Sequence, residues 1–488
     1  MACPYRGSPP PARRRAVEGD LRVTGQPLQL LQLNIEYGGT GVDFATVISV
    51  INTSGASVVA LQEGCGRVPE VARALGWPFF DVRTQVVSRV PLLDPPVPSA
   101  GVVFVEVEPG RVVAIVNVHP ASRAYGPFRL AKGEPLRRVL RRERRLRVGE
   151  LQPSIDASTA LMREGLPVIL LGDFNAPSHL DWTEAAVGVL PQVTQPVSWP
   201  TSIAMSEAGF VDAYRAVHPD PVTHPGLTWP AARPFVEGYN PAADGQAPDR
   251  IDFMHVSPDI TVTAIQIVGE QESPESEVSV SPWPTDHRGL LASLRLTPTV
   301  PPPVVSVSRR LVTVDDSVSV RCIADGVADV MVVPRAADVG ASLMDLEHDE
   351  RVWQLNAADA GVGVFDIVAV DAAHQELART TLWVAEGGTK PEVTTDRSSY
   401  RAGETVGVRW SWAPGNRADW VAIYQRGAEP GAAKSLMTAV TDATVEGVRT
   451  FDETSHPQKW PLPAGEYSLH LLMDDLPQSL ASADFDVR

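Results

Sequence analysis

The stretch LPVILLGDFNAPSHLDW, Leu166–Trp182, decides how this chain is read. Pro167 opens a run of four apolar residues, Val168–Leu171, which reads as a strand buried on both faces. The run stops at Gly172. Asp173 and Asn175 follow on one side of an extended chain, and Pro177 stiffens the turn. Asp and Asn cap backbone groups wherever strands end, so this pair alone is ordinary turn chemistry. A carboxylate beside an amide can also hold a water or a phosphate oxygen, and that reading requires partners at the ends of other apolar runs.

Such partners recur through the first part of the chain. LQLLQLNI delivers Asn34, SVVALQEG delivers Glu63, and the hairpin GVVFVEVEPGRVVAIVNVHP, turned at EPG, delivers His119. Asp249 and Asp252 flank Arg250-Ile251 at the start of the strand DRIDFMHVS, and Asp286 and His287 precede the strand GLLASLRL. Between these runs, GVDFATVISVINTSG reads as an amphipathic helix ended by Gly55, and RRVLRRERRLRVGELQPSIDASTALMREG as helical with a break or kink near Pro153. Long polar loops are expected between Pro177 and Asp249. Strands mixed with helices and hairpins predict an α/β sandwich of two sheets. Asn34 alone could be a turn residue, Glu63 a helix cap and His119 a satisfied core histidine. Six strand ends bearing carboxylate, amide or imidazole in one region exceed what turn chemistry accounts for.

The 488 residues are too many for one core, and LTPTVPPPVVSVS, Leu296–Ser308, marks a boundary, because three consecutive prolines fit neither a helix nor a central strand. Beyond it helical periodicity is absent. SVSVRCIA, VGVFDIVAV and TTLWVAEG, then, after EGGTKPEV, ETVGVRWSWAPG, DWVAIYQRG and GEYSLHLLMDD, alternate like sandwich strands. The expected organisation is a tail over residues 1–25, an α/β region over 26–298, and two all-β immunoglobulin-like sandwiches over 299–387 and 388–488. The tail is Pro- and Arg-rich without an apolar segment, so it is expected to be disordered and not a secretory leader. Three widely spaced cysteines, Cys3, Cys65 and Cys322, match neither a disulfide framework nor a zinc pattern. No apolar run is long enough to span a bilayer. These features lead to an expected cytoplasmic location, with secretion the alternative if the true start carries a leader. The net charge of −17 is concentrated after residue 298, where 28 acidic residues face 16 basic ones. A dedicated nucleic-acid binder is therefore disfavoured, although a local basic groove remains compatible with the charge.

LNIEYGG, ALQEG, VNVHP, LLGDFNAPS, RIDFMHV and TDHRGLLASL together resemble the successive motifs of the endonuclease/exonuclease/phosphatase superfamily, the deoxyribonuclease I-like fold, over about Leu28 to Leu296. The resemblance implies a four-layered α/β sandwich with its site at one edge of two packed sheets, and divalent-metal-dependent hydrolysis of a phosphate ester. It implies Asn34 and Glu63 as oxygen ligands for Mg²⁺ or Mn²⁺, with Asp286 contributing to the ion or its waters. Asp173 would deprotonate the attacking water, Asn175 would orient a phosphate oxygen, and His287 would donate to another. Both carboxylates around Arg250-Ile251 are candidates to orient His287; Asp252 is preferred because it leads directly into a strand, with Asp249 the alternative. His119 is similar to the histidine of the deoxyribonuclease and sphingomyelinase branches, where the abasic-site and exonuclease III branch has a tyrosine.

The substrate is less legible. His119–Arg147 is the densest basic stretch; it reads either as a solvated helix face with Glu143 interleaved, or as an anion clamp in which Arg123 and Arg129 bind substrate beside Tyr125 and Phe128. Trp229 either packs under the metal site or is plain core. The expected partner is a small organophosphate or a lipid head group, bound by a phosphomonoesterase or phosphodiesterase. The rivals are a non-specific endonuclease and a non-catalytic scaffold, and the β-sandwiches are expected to bind a polymer, an envelope component or the catalytic domain itself, with plain spacing the alternative.

Overall fold

The computed structural model describes residues 25–96, 101–232, 248–346, 348–349, 351–474 and 476–488. The expected N-terminal tail lies outside these residues, apart from Gly25. Thirteen strands build the first part of the chain: β1 Gln26–Asn34, β2 Val58–Gln62, β3 Phe79–Asp81, β4 Val86–Ser88, β5 Leu92–Leu93, β6 Val102–Glu108, β7 Arg111–Val118, β8 Val168–Asp173, β9 Val211–Asp212, β10 Asp252–Val256, β11 Thr261–Glu270, β12 Val278–Val280 and β13 Gly289–Leu296. They form a seven-stranded sheet, β12-β11-β13-β1-β2-β4-β3, and a six-stranded sheet, β5-β6-β7-β8-β10-β9.

The two sheets face each other across one apolar core, and helices cover both outer faces. Leu28 and Leu30 of β1, Val58 and Ala60 of β2, Ile169 and Leu171 of β8, and Met254 and Val256 of β10 meet in the middle. Leu31, Leu33, Val59 and Leu61 point outward onto the helices Phe44–Ser54 and Val68–Leu75. Val168 and Leu170 point outward onto Gly149–Arg163 and Pro200–Glu207. This is the four-layered α/β sandwich, and the alternation of every central strand between two buried faces explains why their sequences run continuously apolar. Each such aliphatic side chain contributes about 1.5–3 kcal/mol by burial.

Sheet register then fixes what reaches the edge. β1 runs parallel to β2 with Asn34 beside Gln62, β7 runs parallel to β8 with Val118 beside Gly172, and β8 pairs antiparallel with β10, so that Asp173 lies opposite Asp252. Gly172 is required at that point: a Cβ there would collide with the Val118 carbonyl.

The remaining chain forms two all-β sandwiches. Residues from Val304 to Ala385 make a four- and a five-stranded sheet around one core, and residues from Glu392 to Val487 a three- and a five-stranded sheet around another. The proline-rich segment is not a free spacer. Thr299 bridges to Val112 through both backbone hydrogen bonds, and Val304 and Ile323 are buried in the outer core of the β5–β9 sheet.

Three further expectations are corrected. The break near Pro153 is instead a π-helical turn at Arg144–Val148; the helix Gly149–Arg163 runs through Pro153, and the wider turn just before it accommodates the missing N–H. The segment between Pro177 and Asp249 holds β9 and the helices Pro200–Glu207 and Ala213–Val217, the first opened by Pro200 and the second capped by the Asp212 side chain. These helices are short, so their periodicity is hidden. The basic stretch is not uniformly solvated: Glu143 and Arg147 form a fully buried ion pair, 2.7 Å long.

Candidate functional site

The inner faces of the central strands share a rule. Each carries apolar residues through the core and becomes polar at the same edge: Leu28-Leu30-Gln32-Asn34 on β1, Val58-Ala60-Gln62 on β2, Val113-Ile115-Asn117 on β7 and Ile169-Leu171-Asp173 on β8. β10 runs the other way and reaches that edge at its start, through Asp252.

Asp173 Oδ2 is the point of convergence. Asn34 Nδ2 lies 3.2 Å away, Asn175 Nδ2 3.3 Å, His119 Nε2 3.4 Å and His287 Nε2 3.7 Å. Asp173 Oδ1 accepts the Asn175 N–H at 2.8 Å, with Asn175 in the left-handed region at φ 51°, which Asn tolerates. The Asn175 amide also donates to the Pro120 carbonyl, so in this state it secures Asp173 against the β7 end.

His287 is held from three sides. Its Nδ1 bonds Asp252 Oδ2 at 2.9 Å, Trp283 Nε1 donates to its carbonyl, and Thr285 Oγ1 ties the preceding turn to the Asn34 carbonyl. Burial alone would lower the pKa of this imidazole, but Asp252, Asp173 and Asp286 outweigh it and hold His287 well above its ordinary value. Burial likewise opposes ionisation of Asp173, yet His287 and His119 outweigh it and keep that carboxyl below its usual range. At Asp252 burial prevails and the pKa is raised. His287 thus lies between two buried carboxylates, bonded to Asp252 through Nδ1 and facing Asp173 through Nε2.

Asp249 has a different place. Its Oδ2 accepts Tyr125 OH at 2.6 Å and its Oδ1 accepts Trp182 Nε1 at 3.0 Å, and burial pushes its pKa up to about 7. Between the two acids, buried Arg250 turns away and clamps Asp181 and Asp212. The opening stretch thus also contributes Asp181 and Trp182, which lock the DRID segment against β8.

A second group surrounds Glu63. Its Oε1 lies 3.2 Å from Asn34 Nδ2 and its Oε2 accepts the Tyr37 N–H at 3.0 Å. Glu36, buried and unremarked in the sequence, accepts the Asp286 N–H, while Asp286 Oδ2 accepts Trp229 Nε1 at 3.0 Å. The Trp229 ring lies 6.3 Å from His287 and packs on Tyr125 and Phe128, so it lines the site and is not remote core. Arg123 is exposed and pairs with Glu150, and Arg129 is exposed on the helix Gly126–Ala131. The structure thus brings together Asn34, Glu63, His119, Asp173, Asn175, Asp252, Asp286 and His287, and turns the Arg123 side chain toward Glu150 on the surface.

Sequence reasoning missed a buried amide relay under the site. Asn117 Nδ2 donates to the carbonyls of Leu61 and Thr84, Gln62 donates to Asn117 Oδ1, and Gln32 Nε2 donates both to Gln62 Oε1 at 2.6 Å and to Asp252 Oδ1 at 2.7 Å. Gln32 and Asn117 sit one alternation below Asn34 and His119, and Gln62 directly precedes Glu63; those positions in the strands are the available signal.

Among the described residues, Asp173, Asp252 and His287 place donor atoms within 4.8 Å of one another. A charged imidazole cannot ligate a metal, so while His287 keeps its proton this trio is an acid–imidazole–acid array. Glu63, Asp173 and Asp252 are held by amides and imidazoles, not by guanidinium groups. Carboxylate oxygens gathered in this way suit a hard divalent cation.

The chain is 26% identical over 295 residues to an uncharacterized Caenorhabditis elegans protein, F14F9.5, covering 55% of this chain and 91% of that one. It is similar to the crystal structure of an endonuclease/exonuclease/phosphatase from Beutenbergia cavernae, at 16% identity and a TM-score of 0.30 over 94% of this chain and 99% of that one. It is also similar to humanized D. rerio TDP2, at 16% identity and a TM-score of 0.32 over 55% of this chain and 99% of that one. Residues 31–287, which carry every strand end described above, match the family model itself, and the chain belongs to the Endonuclease/Exonuclease/phosphatase family.

Proposed function

We propose that this protein is a divalent-metal-dependent hydrolase of phosphate esters, acting on a small organophosphate or a lipid head group. The observation that carries this reading is the buried array Asp252–His287–Asp173, in which the imidazole bonds Asp252 at 2.9 Å through Nδ1 and faces Asp173 Oδ2 at 3.7 Å through Nε2.

Asn34, Glu63 and Asp286 would hold the ion, with Glu36 steadying the Asp286 backbone. When bound, Mg²⁺ or Mn²⁺ supplies Lewis-acid polarisation of a phosphoryl oxygen and compensates charge at the departing oxygen. Asp173 would position the attacking water and take its proton, a role supported by the convergence of Asn34, Asn175 and His119 on its Oδ2. His287 donates from Nε2 to a non-bridging phosphoryl oxygen and holds the charge that builds there as the P–O bond to the departing alcohol breaks. Asp252 keeps the ring oriented and protonated, and Gln32 fixes Asp252. His119, against Asp173, adds a second donor at the same edge.

The distribution of basic residues supports a small substrate over duplex DNA. Arg147 is neutralised inside the fold by Glu143, Arg142 and Arg138 face Glu134, and Arg123 faces Glu150. A duplex binder needs several cations aligned toward phosphates, and its affinity collapses with salt. The Trp229, Tyr125 and Phe128 wall beside His287 suits an apolar or planar substituent on the ester. We read residues 26–298 as the catalytic unit and 299–387 and 388–488 as immunoglobulin-like units. A cytoplasmic location belongs to the same reading; among the described residues Cys65 and Cys322 are buried, and no helix is long and apolar enough to cross a membrane.

The test is a panel of phosphomonoesters, phosphodiesters, phospholipids and supercoiled plasmid, each with Mg²⁺, Mn²⁺ or chelator. Ion-dependent turnover of a small ester that varies only a few-fold with salt is expected. Plasmid nicking that is rapid at low salt and collapses at moderate salt would transfer the assignment to a nuclease.

A further inference from the structure

We propose that Asp474, in the last β-sandwich, is a positioning residue for Glu63, so that the C-terminal sandwich forms part of the catalytic scaffold. This rests on the reading of Glu63 as a metal carboxylate given above.

Glu63 sits on an unusual loop. Glu63 and Cys65, neither of them glycine, adopt φ of 56° and 48°, and Gly66 follows at 76°. Non-glycine residues hold such conformations only where the surroundings over-determine them. Part of that surrounding comes from the far end of the chain. Asp474 is buried, and its Oδ2 accepts the Gly66 N–H at 2.8 Å across 408 residues of sequence. Both of its oxygens lie 3.2 Å from Gln85 Nε2, and Gln85 Oε1 accepts the Gly64 N–H at 3.0 Å. The two amides flanking Cys65 are therefore tied to one carboxylate, Gly66 directly and Gly64 through Gln85. Gly66 also leaves room for Met473: a Cβ there would lie 2.9 Å from its sulfur.

The hook is anchored in its own domain. Asp474 Oδ1 accepts the Ala418 N–H at 3.1 Å, and the Asp474 N–H donates to buried Asp419, whose side chain also receives the backbone and side-chain amides of Asn416. A second tie, from the Arg417 N–H to the Val82 carbonyl, joins the same sandwich loop to the β3–β4 turn that carries Gln85. Two loops of the C-terminal sandwich thus grip the segment around Glu63, while no corresponding tie is needed for Asp173 or Asp252, which sit in the sheet ladder itself. Outer contacts of this kind set metal affinity by fixing the ligand's orientation.

The experiment compares full-length wild type with Asp474→Ala in two readouts. In metal-free protein, amide hydrogen exchange at Gly64 and Gly66 should accelerate about ten-fold or more, while the β10 strand around Asp252 keeps its protection. In calorimetric titration with Mn²⁺ the dissociation constant should rise about ten-fold, with kcat at saturating ion within a few-fold of wild type. General destabilisation would instead raise exchange everywhere and lower kcat at every ion concentration, and that result would overturn the proposal. So would a folded Asp474→Ala with wild-type exchange at both glycines and wild-type Mn²⁺ affinity. If Asp474→Ala does not fold, Gln85→Leu serves as the second variant: faster exchange at Gly64 with weakened Mn²⁺ binding supports the hook, and wild-type values in both overturn it. A wild type that binds no Mn²⁺ would overturn the metal reading separately, leaving the exchange comparison to decide the hook.

Discussion

The two halves of the site are built by different means. Asp173 and Asp252 face each other because β8 and β10 pair in one register, and His287 is fixed to Asp252 and stapled to β1 through Thr285. Glu63 lies just beyond the end of β2, on a loop of left-handed residues, and Glu36 and Tyr37 at the end of β1 are left-handed too, at φ 50° and 48°. That half depends on contacts from distant parts of the chain, the Asp474 hook among them. A sheet ladder sets side chains by repetition, whereas a strained loop has to be held. The proposed chemistry follows this division, with proton transfer and charge stabilisation on the ladder and ion binding on the loop.

The largest expected effect breaks the ladder half. Asp173→Asn removes the general base and should lower kcat by about 10²–10⁴-fold, with the folded structure retained. No concentration of Mg²⁺ should restore it, and a variant rescued by added ion would place Asp173 in the metal half instead. Glu63→Ala should respond the other way. Activity at low Mg²⁺ should fall steeply, and raising Mg²⁺ should recover a substantial part of it; a loss independent of ion concentration would contradict the division. Titrating Mg²⁺ against rate for both variants separates these outcomes.

A smaller effect is expected one layer below. Gln32→Leu leaves Asp252 Oδ1 and Gln62 Oε1 without their shared donor, and an unsatisfied buried acceptor costs about 1–3 kcal/mol. The variant should be less stable by that order and about ten-fold slower, with an unchanged ion requirement. A shift in ion requirement would show that the relay serves Glu63 more than His287.

The smallest effect distinguishes the two acids around Arg250-Ile251. Asp249 is raised from 3.8 to about 7, so the folded protein keeps a proton that the unfolded chain releases. Its contribution to stability is fully present below pH 3.8 and is lost as pH rises through about 7. His255 is lowered from 6.5 to about 4, so its contribution is present above pH 6.5 and is lost as pH falls toward 4. The two oppose each other in the same window. Asp249→Asn should leave the His255 trend uncompensated, making the stability difference from wild type depend on pH by up to about 1.4 kcal/mol per unit between pH 4 and 6.5. Chemical denaturation at several pH values measures it, and parallel curves for the two proteins would contradict the assignment of Asp249 as a protonated core acid.

Much of the ladder half was legible in the sequence, for a physical reason. Strand alternation is short-range, so Leu30-Gln32-Asn34 and Leu171-Asp173 announce which side chains share a face. The preference for Asp252 over Asp249 drew on the same logic, since Asp252 is the first residue of β10 and points inward with Met254. The amide relay was overlooked because Gln32, Gln62 and Asn117 read as isolated polar interruptions until the sheets are paired. Glu36 was overlooked because its burial depends on the turn after β1. The Arg123 and Arg129 clamp rests on nearness in sequence to His119; both residues are exposed, Arg123 beside Glu150 and Arg129 on the short helix Gly126–Ala131. The hook at Asp474 could not be read at all, because a contact spanning 408 residues leaves no periodic trace.

The most direct test of the central claim is the hydrolysis of a small phosphodiester, bis-p-nitrophenyl phosphate, by chelator-treated full-length protein over a range of Mg²⁺, for wild type and His287→Ala. The account predicts no wild-type turnover without ion, turnover that saturates with Mg²⁺, and a kcat for His287→Ala lower by about 10²-fold or more at every ion concentration. Turnover that persists without ion, or that survives His287→Ala undiminished, would contradict it.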